Sequence, residues 1–270
     1  MPAEMAERME DVGVKKANMD ALTMAVLAVL AGAFIALGAV LATTIATGAG
    51  ALPYGVGRLL TGLVFCLGLI LVVVAGAELF TGNNLIVMAW ASGKVTVRAL
   101  LRNWVIVYLG NFVGSVATAV VILVSRQYTF AGGELGRTAL NIANAKVNLD
   151  FVQAIALGIM CNALVCLAVW LTLSARTTTD KILAILFPIG GFVAAGFEHS
   201  VANMYFIPIG LLIKSFDPDF VAGLGMADAL GNLDWGTFLI NNLLPVTIGN
   251  IIGGGVMVAL VYWFVYRRPK

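Results

Sequence analysis

The chain has 270 residues, of which 61% are hydrophobic and only 11% charged, with a formal net charge of +2. Soluble domains carry about 25% charged residues, so this composition excludes a water-coated globule and makes lipid the solvent for much of the surface. The small net charge, with no basic patch interleaved with aromatics, excludes a nucleic-acid partner.

Residues 1–20 mix charges with apolar residues and lack the apolar core of a secretory signal. They read as a short amphipathic cytoplasmic helix, followed by a transmembrane domain over residues 21–270. A bilayer core of about 30 Å needs about 20 apolar residues per helix, and the mean hydropathy is +0.99. Six segments meet the requirement: Leu22–Thr47, Arg58–Trp90, Asn103–Val124, Phe151–Leu173, Ile182–Ile213 and Phe238–Tyr266. The second is interrupted by polar residues at Glu78–Asn84 and the fifth at Phe197–Asn203. With both termini cytoplasmic, Arg58, Arg126, Arg137, Lys146 and Lys214 face outward and the other basic residues, more than twice as many, face inward, as the positive-inside rule requires.

The two halves repeat. Glu78-x4-Asn83 matches Glu198-x4-Asn203, and Asn103-x6-Gly110-Asn111-x2-Gly114 matches Asn242-x6-Gly249-Asn250-x2-Gly253. An odd number of spans separates the copies, so the repeats, about 21–125 and 150–267, lie in the membrane with opposite topology. Inverted repeats with discontinuous helices place a permeation site near the midplane. The expected fold is therefore an all-α membrane protein of two inverted three-helix repeats, with helices 2 and 5 broken. The small-residue pairs Gly110/Gly114 and Gly249/Gly253 read as close helix packing.

Irregular backbone at membrane depth must face protein or a water-filled cavity, which makes the breaks the candidate site. An ionisable group within a span is costly and is by default functional. His199, the single histidine, can donate or accept a hydrogen bond or hold a proton near neutral pH. Glu198 reads as a support that orients His199 or satisfies freed backbone N–H groups, with Glu78 doing the same at the other break. Thr81, Asn83 and Asn203 supply uncharged donors. Phe65, Leu69, Leu79 and Phe192 read equally as core or as apolar constrictions of a pore. Cys66, Cys161 and Cys166 read as small buried hydrophobes. One histidine supplies neither a multi-histidine metal site nor a bis-histidine haem, so no metal or cofactor is expected and the chain does not read as an enzyme. The absence of an Asn-Pro-Ala motif weighs against a neutral-solute channel of the aquaglyceroporin kind.

The strings AELFTGN (77–83), GFEHSVANM (196–204) and LLPVTIGNIIGGG (243–255) resemble the formate–nitrite transporter family, and more closely its formate-channel branch. The resemblance implies a homopentamer in the inner membrane, each protomer aquaporin-like with its own pore. It implies that Thr81 and His199 hydrogen-bond the substrate and each other at the pore centre, and that Phe65, Leu69, Leu79 and Phe192 form two constrictions. It further implies that Asn162 and Asn203 line the pathway, that Lys146 draws anions into a vestibule, and that the N-terminal segment gates export and contacts a cytoplasmic enzyme. The implied substrate is formate, with nitrite, hydrosulfide, acetate and lactate as alternatives. Proton donation from His199, directly or through water, would let the neutral acid cross.

Overall fold

The computed structural model describes residues 2–269 and is helical throughout its elements. Six helices are long and apolar enough to cross a membrane: Ala21–Ala46, Tyr54–Gly76, Val97–Val124, Phe151–Thr172, Thr178–Ala195 and Trp235–Tyr266. The elements used below are α1 (Pro2–Ala17), α2 (Ala21–Ala46), α3 (Tyr54–Ile70, continued by a π-helical turn Leu71–Gly76), α4 (Phe80–Asn83), α5 (Val87–Ala91), α6 (Val97–Val124), α7 (Glu134–Val147), α8 (Phe151–Thr172), α9 (Thr178–Ala195) and α10 (Ser200–Phe216). The sixth span holds α11 (Leu244–Ile251) between two π-helical stretches, Phe238–Leu243 and Ile252–Leu260.

Polar side chains start the spanning helices. Asp20 accepts from the Thr23 N–H at 2.9 Å ahead of α2, and Asp150 accepts from the Val152 N–H at 2.9 Å ahead of α8. Each satisfies one of the donors that a helix start leaves without a partner. Thr96 caps α6, and Thr177 with Asp180 forms a capping box at α9.

Helix 2 stops at Gly76 (φ +86) and helix 5 at Gly196 (φ +79), conformations that a residue without Cβ adopts at little cost. Only residues 77–79 and 197–199 are then non-helical. These breaks are shorter than the seven-residue interruptions expected from the sequence. Thr81 and Asn83, and likewise Ser200 to Asn203, already lie in the first turns of α4 and α10. Polarity marks the residues that face the polar interior, and most of those are helical.

Small residues let the helices approach. A methyl group at Gly114 of α6 would run into the carbonyl of Val29 on α2, and one at Gly253 into the carbonyl of Ile159 on α8. The two contacts are the same contact in the two repeats. α1 is not a loose tail: Met5, Ala6, Met9 and Ala17 are buried with Leu85, Ile86, Met88 and Ala89 in one apolar cluster. The interruption at residues 18–20 thus separates α1 from α2 without detaching α1 from the packing.

Candidate functional site

Each break is held by one buried asparagine. Asn111 Nδ2 donates to the carbonyls of Ala28 (2.8 Å) and Glu78 (2.9 Å), while its Oδ1 accepts from the Phe80 N–H (2.9 Å). Asn250 repeats the set with Gly158 (2.8 Å), Glu198 (3.0 Å) and Ser200 (2.9 Å). In a low-dielectric core an unpartnered backbone group is expensive, and these two amides remove that penalty. A second repeated set lies beside them. Lys16 Nζ bonds Glu78 Oε1 (2.6 Å), Asn83 donates to Glu78 Oε2 (2.7 Å) and to Asn103 (2.9 Å), and Asn103 donates to the Lys16 carbonyl (3.2 Å). Lys146 bonds Glu198 Oε1 (2.7 Å), Asn203 donates to Glu198 Oε2 (2.7 Å) and to Asn242 (2.7 Å), and Asn242 donates to the Lys146 carbonyl (2.9 Å).

These contacts differ from the role expected of Glu198. Its carboxylate neither orients His199 nor caps backbone N–H groups; it is spent on Lys146, Asn203 and Asn242. In extended backbone successive side chains point to opposite faces, so Glu198 and His199 diverge. Glu78 behaves alike toward Lys16 and Asn83.

His199 is 3% exposed and Thr81 fully buried. His199 Nε2 lies 3.0 Å from Thr81 Oγ1, and Nδ1 accepts the Ala202 N–H at 3.0 Å, making the ring the N-cap of α10. A ring nitrogen that accepts an N–H carries no proton of its own. The neutral imidazole therefore holds its proton on Nε2, and Nε2–H donates to Thr81. The ring stacks on Phe192 at 5.8 Å, and Phe192 meets Phe65 edge-on at 5.7 Å. Asn162 and Cys166 both bond the Thr81 carbonyl, at 3.2 and 3.3 Å, and Asn162 also bonds Asn84 and the Asn250 carbonyl. Asn162, like Thr81, lines neither cavity below; it fastens α4 to α8 beside the Thr81 carbonyl.

Two cavities approach this waist. One, of about 290 Å³, is lined by Lys146, Glu198, Asn203, His199, Phe65 and Phe192 together with Arg58 and Phe206. The other, of about 370 Å³, is lined by Lys16, Glu78, Asn83, Leu69, Leu79 and Gly82. Three spans separate Lys16 from Lys146, so the cavities open on opposite membrane faces. Between them Phe65, Leu69, Leu79 and Phe192 are at most 3% exposed. The site residues expected from sequence thus divide between the two cavities and the waist, with Thr81 joined to His199. Lys16, Arg58, Phe206, Asn103, Asn111, Asn242 and Asn250 were absent from that expectation. Their signal was present in part: Lys16-x-Asn18-x-Asp20 repeats as Lys146-x-Asn148-x-Asp150, and each repeat carries Asn-x7-Asn. Among the described residues no cluster of side chains fit to hold a metal ion occurs.

Comparison with known proteins identifies the family. The formate/nitrite transporter family model matches residues 3–264. The chain is 45% identical to the formate channel FocA of Escherichia coli K12 over 272 residues, covering 100% of this chain and 95% of that one. It is 42% identical to FocA of Haemophilus influenzae, covering 96% and 92%. A solved pentameric formate channel with formate bound superposes with a TM-score of 0.87 at 48% identity, over 92% of this chain and 98% of that one. The chain belongs to the formate/nitrite transporter family.

Proposed function

We propose that the protein is a membrane channel for formate and related small monovalent weak-acid anions, working as a homopentamer of independent pores. The reading is supported by similarity to proteins named as formate channels, and one observation carries it: a buried Nε2–H and hydroxyl pair, 3.0 Å apart, stands in an apolar waist between two cavities. In this reading the Lys16 cavity faces the cytoplasm, as do both termini, and the membrane is the inner one.

An anion leaves most of its hydration at Phe65 and Phe192 on one side, or at Leu69 and Leu79 on the other. Inside the waist it meets two donors, His199 Nε2–H and the Thr81 hydroxyl, while Thr81 Oγ1 gives up its bond from the ring. Charge-assisted hydrogen bonds of this kind are about twice as strong as neutral ones, yet a bare anion in so dry a place stays strongly disfavoured. A proton therefore accompanies it. A neutral imidazole is a poor acid, and a second ring proton at Nδ1 would face the Ala202 N–H. The proton accordingly reaches the anion through vestibule water, and His199 orients the acid by hydrogen bonding. Small weak acids pass; halides, which take up no proton, pass poorly.

The test is a proteoliposome flux assay with formate, nitrite, acetate, lactate and hydrosulfide at several pH values. Formate flux rises as pH falls, and His199→Phe abolishes it. PH-dependent formate flux at the wild-type rate in His199→Phe would overturn the reading.

A further inference from the structure

The two vestibules carry the same ion pair but not the same charge. Lys16 with Glu78 and Lys146 with Glu198 neutralise each other at 2.6 and 2.7 Å. Arg58, on the wall of the Lys146 cavity, has no counterpart in the other cavity, and among the described residues no carboxylate lies in ion-pair range of it. Its guanidinium instead reaches from α3 to the C-terminal end of α9. Nε donates to the Ala194 carbonyl at 3.1 Å and an Nη donates to the Val193 carbonyl. That helix end already closes itself, with the Gly196 N–H on Val193 (3.1 Å) and the Phe197 N–H on Phe192 (3.0 Å). Without Arg58, its last carbonyls and the negative end of the helix dipole would face the vestibule beside Phe192, in the path of an anion.

We infer that Arg58 is a positioning and attracting residue for anions in the outer vestibule: it masks the α9 carbonyls and supplies the surplus positive charge that concentrates the substrate above the Phe65–Phe192 constriction. This rests on the channel reading above. Because Lys146 is matched by Glu198, the single charge of Arg58 decides the sign of the field in that vestibule. The opposite vestibule, where cation and carboxylate balance, has no such surplus, so anion entry saturates at lower concentration from the outer face.

The experiment measures initial formate flux against concentration in proteoliposomes at low and high salt, for the wild type, Arg58→Lys and Arg58→Gln. Gln keeps a donor for the helix carbonyls and removes the charge; Lys keeps the charge with fewer donors. A unit charge acting at vestibule distances changes local anion concentration by about three- to tenfold at low ionic strength. Arg58→Gln therefore raises the half-saturating concentration by about three- to tenfold, with the change falling there and not on the plateau, while Arg58→Lys stays within about twofold of wild type. Raising salt from about 20 to 500 mM shifts the wild type toward the Gln variant and leaves the Gln variant nearly unmoved. Equal impairment of the Lys and Gln variants, or a Gln variant with wild-type half-saturation and salt response, overturns the inference. Where the Gln variant fails to assemble, the salt response of the wild type decides, and a flat response overturns it. A wild type that moves no formate at all overturns the channel reading and this inference together; saturable flux indifferent to the charge at Arg58 overturns the inference alone.

Discussion

Leu79 and His199 hold the same place in the two repeats, the residue before the half-helix that follows each break, and they do opposite things there. Leu79 offers no side-chain cap and lines a cavity; His199 caps α10 through Nδ1 and presents Nε2–H to Thr81. The ring thus has two separable duties. His199→Asn keeps an acceptor suited to an N-cap but is too short to bring a donor to Thr81. It should melt within about 1 kcal/mol of wild type in detergent while formate flux falls at least about tenfold. His199→Phe should lose both the cap and the flux. Thr81→Val, which preserves shape and removes the hydroxyl, should lower flux by about tenfold and, by leaving the buried Nε2–H without its acceptor, cost about 1–3 kcal/mol of stability. Wild-type flux in His199→Asn would show that capping is the ring's whole purpose. His199 stood out in the sequence because a lone ionisable residue in an apolar run has few explanations, whereas Thr81 read only as an uncharged donor in the other break until the family resemblance paired it with His199. The partners of Glu198 were not legible, since they come from α7, α10 and the sixth span, and sequence order says nothing of that convergence.

At the scale of elements, the breaks are stabilised from outside themselves. Asn250 supplies one acceptor and two donors to backbone at Ser200, Glu198 and Gly158. Asn250→Ala leaves the Ser200 N–H and the Glu198 carbonyl without partners at about 1–3 kcal/mol each, while the Gly158 carbonyl keeps its bond within α8, and water in the adjoining cavity recovers only part of that. The expected result is a loss of at least about 2 kcal/mol in detergent unfolding, with Asn111→Ala giving a similar loss because its bonds are the same in the other repeat. Unchanged unfolding midpoints in both variants would remove the asparagines from any role in the breaks. Gly253→Ala should cost about 1–3 kcal/mol by overpacking against the Ile159 carbonyl. Six spans and their two interruptions were readable from hydropathy and polarity. The extent of each break was not, because a polar residue in the first turn of a half-helix looks the same in sequence as one in a loop. The π-helical stretches at Leu71–Gly76 and Ile252–Leu260 left no compositional mark.

At the scale of the whole molecule, the inverted repeat is closed at the α1 end by a charge cluster that its counterpart lacks. Glu10, fully buried on α1, bonds Lys94 Nζ at 2.6 Å, Arg267 at 3.0 Å and the Ser92 hydroxyl, so it ties the first helix to the turn after α5 and to the C-terminal tail. Trp263 Nε1 joins the same cluster through Ser92 at 2.9 Å. Burial alone would push the Glu10 carboxyl up, but the hydrogen bonds from Arg267, Lys94 and Ser92 together outweigh it and hold it below the ordinary glutamate value of 4.5. A group whose bound-state pKa is depressed contributes its stabilisation above its ordinary value and loses it as pH falls through the lowered one. Docking of α1 is therefore fully supported above about pH 4.5 and weakens progressively below it. The same weakening should follow at neutral pH from Glu10→Gln, by about 1–3 kcal/mol, since Lys94 and Arg267 both lose their anionic partner. Because α1 carries Met9, Val12 and Lys16 into the wall of the Lys16 cavity, its release also widens that cavity. Hydrogen exchange of backbone amides over residues 5–17 reads both effects: protection should fall in Glu10→Gln at pH 7 and in the wild type only below pH 4.5, and protection unchanged in Glu10→Gln would assign the docking of α1 to its apolar face alone.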